Sequence, residues 1–86
     1  MSRSVCPIAK RLKEARLDAG LSQKVLGIKA GIDEFTASAR MNQYETGKHT
    51  PDFLTVKQIA KVLKLPTAYF YAEEDEIAEL LKQCSK

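Results

Sequence analysis

Cysteine and histidine are scarce in this chain of 86 residues. The two cysteines, Cys6 and Cys84, lie near opposite ends and form no C-x-x-C pair, and His49 is the only histidine. These residues are too few to supply the ligands of a typical metal site. We therefore expect no metal and no cofactor.

Long hydrophobic runs are also missing. The longest extend over only a few residues, and segment 1–15 lacks the apolar core and the cleavage site of a signal peptide. We therefore expect a cytoplasmic protein that does not cross a membrane. In that compartment both cysteines should be reduced bystanders and not form a disulfide.

The motifs of an enzyme are absent as well. The sequence shows no nucleophile beside a base, no glycine-rich phosphate loop and no metal-ligand spacing. We expect no catalytic residue, because a single histidine among scattered carboxylates is typical of a solvated surface. A chain of 86 residues has room for one domain with a modest core, so its function should be carried by its surface.

Positive charge is concentrated in the first half of the chain. Residues 1–50 contain nine Lys and Arg against five Asp and Glu, whereas residues 51–86 contain five against six. A basic surface suits a polyanionic partner, although charged faces are more often merely solvated.

Glycine and proline divide the chain into segments with helical periodicity. Ser22 and Asp52 are predicted N-caps, and each apolar stripe recurs every three or four residues. We expect an all-α bundle of five or six helices. The predicted helices cover residues 7 to about 18, 22–30, 33 or 36 to about 45, 52–65, 67–71, and 73 onward.

The predicted inward residues of the third helix are Ala37, Met41 and Tyr44. The last helix has its own apolar stripe, which a monomer of this size hardly needs for its core. This stripe either meets a second subunit or packs against the fifth helix, and the sequence leaves both interpretations open. It consists of Ile77, Leu80, Leu81 and Cys84.

Four segments in order resemble one known family: RLKEARLDAGLSQ, Gly31-Ile32, NQYETGKHTP and FLTVKQIAKVLKLP. They are similar to phage-repressor and Cro-like helix-turn-helix proteins, often called the xenobiotic-response-element family, over about residues 11–70. The resemblance implies a lambda-repressor-like fold that binds double-stranded DNA. We expect a helix-turn-helix domain over 1–72 and, from the apolar stripe of the last helix, a C-terminal helix over 73–86 that is a candidate dimerisation element.

The third helix of such a domain can enter the major groove, which is about 12 Å wide and is where base pairs differ most. In the resemblance, Gln23 and Lys24 contact phosphates at the start of the second helix. Arg16 and Glu45 match a structural salt bridge. The remaining candidate DNA contacts are Thr36 before the third helix, Ser38, Ala39, Arg40, Asn42 and Gln43 on it, and Thr46, Lys48 and His49 after it.

The sequence departs from the family pattern before the third helix. About four residues are inserted near Asp33–Thr36, so either the helix begins one turn earlier or the residues form a loop. In the first case Glu34, Phe35 and Thr36 would approach the DNA. We favour Phe35 as a cover for the core over base stacking. Gly27 replaces the small alanine usual in the second helix and preserves close helix packing.

The leading functional hypothesis is a homodimeric repressor that binds a pseudo-palindromic operator, with its third helices about 34 Å apart. Prophage repressors and restriction-modification controller proteins share this size and pattern, which points to a bacterial or phage-encoded protein. The alternative is an antitoxin-like DNA-binding module whose last helix binds a protein partner.

Overall fold

The computed structural model describes residues 7–84, and these residues form helices and turns without a strand. The all-α prediction is confirmed. The elements are α1 (Ile8–Asp18), α2 (Gln23–Lys29), α3 (Ala37–Glu45), α4 (Phe53–Leu63), a 3-10 helix (Thr67–Tyr71) and α5 (Asp75–Cys84). The expectation for Cys6 lies outside the described residues.

Both predicted N-caps are present. The Ser22 hydroxyl accepts a hydrogen bond from the Val25 backbone N–H at 3.0 Å, and the Asp52 carboxylate accepts one from Thr55 at 2.9 Å. Each cap satisfies a backbone donor that the first helical turn leaves unpaired. Gly31, at φ 97°, occupies a backbone region that L side chains rarely adopt, and it turns the chain away from α2.

The core lies between α1, α2, α3, α4 and the 3-10 helix. All three predicted inward residues of α3 are buried, as are Val56, Ile59 and Ala60 on α4. Helices α2 and α3 approach closely at Gly27, where a Cβ atom would lie 2.8 Å from the Cβ of Ala37. The predicted role of Gly27 in close packing is therefore confirmed.

The inserted residues form a turn and do not lengthen α3. The Asp33 carboxylate accepts a hydrogen bond from the Phe35 N–H at 2.9 Å, and the Asp33 carbonyl accepts one from the Thr36 N–H at 3.0 Å. This turn carries Phe35 outward, where it is 91% exposed. The prediction that Phe35 covers the core is wrong, because Ile32 is the residue of this segment that packs against it.

Helix α5 packs mainly through Ala78, which is buried, and through the half-buried Leu81. Ile77, Leu80 and Cys84 of the predicted stripe are exposed. Packing within the chain therefore accounts for only part of that stripe. The start of α5 is tied to α1 by Arg11, a buried arginine that donates to the Ala72 carbonyl oxygen at 3.0 Å and pairs with Asp75.

Candidate nucleic-acid interface

The α2–α3 pair presents one face of α3 to solvent. Because Ala37, Met41 and Tyr44 are buried, the residues between them point outward. Ser38, Ala39 and Asn42 are exposed, and Gln43 is half-buried. The structure thus leaves the four predicted base contacts accessible on a single helix.

Gln23 and Asn42 are brought together across the α2–α3 junction. The Gln23 amide donates to the Asn42 side-chain oxygen at 3.3 Å and to a Glu45 carboxylate oxygen at 3.1 Å. The two residues were predicted for different partners, a phosphate and a base. Their hydrogen bond joins the two side chains.

Beneath this junction, the predicted salt bridge between Arg16 and Glu45 is present. The Arg16 guanidinium donates to both Glu45 carboxylate oxygens, one of them at 3.1 Å, and to the Leu21 carbonyl oxygen at 2.9 Å. The two side chains are 12% and 3% exposed. A bidentate pair of this kind fixes the end of α3 against α1 and the start of α2.

A depression of about 370 Å³ runs along this flank of α3. Gln23, Asn42 and Thr46 line it together with Lys13 of α1. Lys13 is a candidate phosphate contact that the sequence did not reveal. In the sequence it is one lysine on the polar side of a helix, and only the packing of α1 against α3 places it beside the predicted contacts.

The other flank of α3 borders a second depression, of about 390 Å³. Arg40 and Gln43 line it with His49, whose backbone N–H donates to the Gln43 carbonyl oxygen at 3.2 Å. Arg40 donates to the Tyr44 hydroxyl at 3.3 Å, which uses one of the five N–H donors of its guanidinium. Hydrogen bonds from Thr55 hold the pKa of Asp52, also on this flank, below its usual value.

Three further predicted contacts flank α3. Lys24 is exposed in the first turn of α2, Thr36 is exposed immediately before α3, and Lys48 is exposed in the loop that follows it. Lysines therefore lie on both sides of α3. They are suited to bind the two phosphate backbones that border a major groove.

The predicted dimerisation residues lie on a separate element. Helix α5 packs against the 3-10 helix, and its Lys82 forms an ion pair with Asp18 of α1 at 3.3 Å. The DNA contacts and the dimer contacts both stay predictions.

Residues 7–84 hold no group of three or more His, Cys, Asp or Glu side chains that could bind a metal ion. Over the same residues, no helix is long and apolar enough to cross a membrane.

Comparison with known proteins identifies the family. Residues 12–70 match the helix-turn-helix family HTH_3. The crystal structure of the transcriptional regulator BswR superposes on this chain with a TM-score of 0.85 at 55% sequence identity, covering 91% of this chain and 77% of that one. No curated protein matches. The chain therefore belongs to the Cro-like, xenobiotic-response-element type of helix-turn-helix proteins, and it is a DNA-binding transcriptional regulator.

Proposed function

We propose that this protein is a repressor that binds a pseudo-palindromic operator as a homodimer. The observation that carries the proposal is the outward face of α3, where Ser38, Ala39 and Asn42 are exposed and Gln43 is half-buried, on a helix fixed by an ion pair with little solvent exposure. Asn and Gln amides can each donate to and accept from an adenine edge, and a serine hydroxyl can bond several bases. A rigid helix that carries these groups can distinguish one base sequence from another.

Phosphate contacts orient this helix in the groove. Lys13, Gln23 and Lys24 serve one backbone, and Lys48 serves the other from the loop after α3. Phosphate contacts are independent of sequence and weaken as the salt concentration rises, because the release of counterions on binding then becomes less favourable. Base contacts set specificity. Variants of the phosphate-contacting residues should therefore change the salt dependence of binding, and variants of the base-contacting residues should change its sequence specificity.

The dimer is supported by the apolar side chains of α5. Leu80 is 58% exposed and Ile77 is 45% exposed, and they lie three residues apart on one side of the helix. Two copies that cover these side chains would present two α3 helices to successive major grooves on one face of the duplex. Occupancy of such a site at a promoter would exclude RNA polymerase.

The first experiment is selection of bound duplexes from a random pool, followed by titration of the recovered site at 50 and 200 mM salt. We expect a two-fold symmetric site and affinity that falls steeply with salt, by roughly 10³- to 10⁵-fold if 6–10 phosphates are contacted. Failure to enrich any sequence would contradict the proposal.

Variants then assign the contacts. Asn42→Ala with Gln43→Ala should cost about 1–3 kcal/mol of discrimination for each bidentate pair lost, with little change on unrelated duplex. Lys48→Ala should instead weaken binding to all duplexes and reduce the salt slope by about one. Gln83→Ala and Lys61→Ala, both at exposed positions on other helices, are the matched controls.

Leu80→Glu tests the dimer by sedimentation with and without operator. The variant should be monomeric and should bind a half-site but lose the cooperative binding of the full site. Gln83→Glu adds the same charge to α5 off the apolar stripe and should remain dimeric.

The exposed stripe also favours a second candidate, an antitoxin-like module in which α5 binds a different protein. That candidate is supported if the wild-type chain is monomeric at saturation on DNA and acquires tight operator binding only with a partner. A wild-type dimer disrupted by Leu80→Glu would exclude it.

A further inference from the structure

Phe35 is the most exposed of the large apolar side chains in residues 7–84. It is 91% exposed, whereas the next, Leu54, is 62% exposed. Single exposed apolar residues are ordinary on protein surfaces, so the exposure of Phe35 alone assigns no role. A role is indicated by the place of Phe35 before α3 and by the hydrogen bonds that hold its turn.

The turn that carries Phe35 is held by three hydrogen bonds to one residue. Asp33 accepts from the Phe35 N–H through its carboxylate, and its carbonyl accepts from the Thr36 N–H and, at 3.3 Å, from the Thr36 hydroxyl. An open cleft of about 520 Å³ separates this turn from α4. Asp33 and Thr36 line one side of the cleft, and Leu54 and Gln58 line the other. These hydrogen bonds hold the turn in one conformation, and the cleft separates it from α4.

Phe35 also lies immediately before the helix that carries the base contacts. It precedes the first residue of α3 by two positions and Ser38 by three, so its Cα is at most about 11 Å from the Cα of Ser38. That distance is less than the width of the major groove, about 12 Å. Phe35 is therefore close enough to the outward face of α3 to reach bases in the groove that α3 enters.

The charges around Phe35 indicate which part of the DNA it contacts, the phosphate backbone or the bases. Glu34 and Asp33 adjoin it in the chain, and carboxylates so close to phosphates would be repelled. Bases present a different surface, because thymine carries a C5 methyl group, an apolar feature of the major groove. An apolar ring suits that methyl group.

We propose that Phe35 contacts the C5 methyl group of a thymine in each half-site and thereby specifies thymine at that position. This inference rests on the proposed operator binding. It makes the inserted turn a second element of sequence recognition beside the exposed face of α3.

The test uses the operator recovered by selection. Each thymine of one half-site is replaced in turn by deoxyuridine, which removes only the C5 methyl group. For wild-type protein, one position should lose affinity about four-fold, the change that corresponds to about 0.8 kcal/mol for one buried methyl-sized group. For Phe35→Ala, the same replacement should change affinity by less than about 1.5-fold, and the penalties at other thymines should be unchanged.

Phe53→Ala is the matched control, because Phe53 is another exposed phenylalanine on a different element, α4. This variant should retain the full deoxyuridine penalty at the position that Phe35 contacts. Circular dichroism and sedimentation of both variants check that the fold and the dimer are intact.

The outcomes separate the two proposals. If selection enriches no site for the wild-type chain, operator binding fails and the role of Phe35 fails with it. If a site is enriched but Phe35→Ala keeps every deoxyuridine penalty, only the role of Phe35 is overturned. A Phe35→Ala variant that changes the oligomeric state while keeping those penalties would assign the side chain to a protein interface and would also overturn the inference.

Discussion

The α2–α3 pair and α5 are attached to the molecule in different ways. Helix α3 buries three side chains, and the ion pair that anchors its end joins residues 12% and 3% exposed. Helix α5 buries only Ala78, and Asp75, which pairs with Lys10 and Arg11 at its start, is 74% exposed. Helix α3 is therefore fixed by buried contacts, whereas α5 buries a single side chain and leaves the carboxylate of its first-turn ion pairs exposed to water.

The difference fits the two proposed roles. A helix that distinguishes base pairs must hold its side chains in one arrangement before DNA arrives, because ordering them on binding costs free energy. A helix that meets a partner subunit can keep apolar side chains exposed until they are covered. The following substitutions test this comparison, in order of decreasing effect.

Arg16→Met should have the largest effect. It leaves the buried Glu45 carboxylate with the Gln23 amide as its one remaining side-chain donor within residues 7–84, and breaking a buried ion pair by removing one partner costs about 3–5 kcal/mol. The free energy of unfolding is measured by urea denaturation. Asp18→Asn breaks the exposed pair with Lys82 and should cost no more than about 1 kcal/mol. Equal losses would show that the two helices are attached in the same way.

Gly27→Val should lower the free energy of unfolding by about 1–3 kcal/mol, the usual cost of overpacking. A Cβ at Gly27 would lie 2.8 Å from the Ala37 Cβ and 3.2 Å from the Ala37 Cα, so α3 must move. Operator affinity should fall with the displacement of α3. Ile28→Val is the control, at an exposed neighbour on the same helix, and it should leave both quantities nearly unchanged.

Ser22→Ala removes the cap of α2 and should cost about 1 kcal/mol. Ser22→Asp keeps an acceptor at the same position and should restore most of the loss. If both variants are as stable as wild type in thermal unfolding, packing against α3 holds α2 without its cap.

Asp75→Asn should have the smallest effect. Hydrogen bonds from Lys10 and then from Arg11 hold the pKa of Asp75 below its ordinary value of 3.8. Because the pKa is lower in the folded state, the ionised carboxylate stabilises the fold above that value, and the contribution is lost as the pH falls through the folded pKa. Asp75→Asn should therefore lower the Tm at pH 7, and its difference from wild type should shrink below pH 3.8.

Glu76→Gln is the control for Asp75→Asn, because it removes a charge from the same first turn of α5 and so loses the same interaction with the helix dipole. A Tm loss in Asp75→Asn no larger than in Glu76→Gln would show that the pairing with Lys10 and Arg11 contributes nothing measurable.

Much of the fold was predictable because its signals are local. The N-caps Ser22 and Asp52 act on backbone donors three residues away, and the buried stripe of α3 follows from helical periodicity. The outward residues of α3 follow from the same geometry. The Arg16–Glu45 pair is long-range, and the family resemblance predicted it.

Long-range packing decided the rest. Lys13 lines a depression beside Asn42, and Gln23 donates to Asn42, because α1, α2 and α3 converge there. The orientation of the inserted turn could not be predicted from the sequence either. Its four residues are compatible with a helix or a loop, and Asp33 closes the loop through bonds that no periodicity predicts.

The all-α class, the helix boundaries to within a few residues and the inward face of α3 could be predicted from the sequence alone, because each depends on spacing along one segment. The family followed from the resemblance of four segments in order. Only the tertiary structure decided that Arg11 is buried at the start of α5, that Ile77 and Leu80 remain exposed and that Phe35 projects into solvent. These properties depend on which other segments occupy the space around a side chain, and that space exists only once the helices have packed.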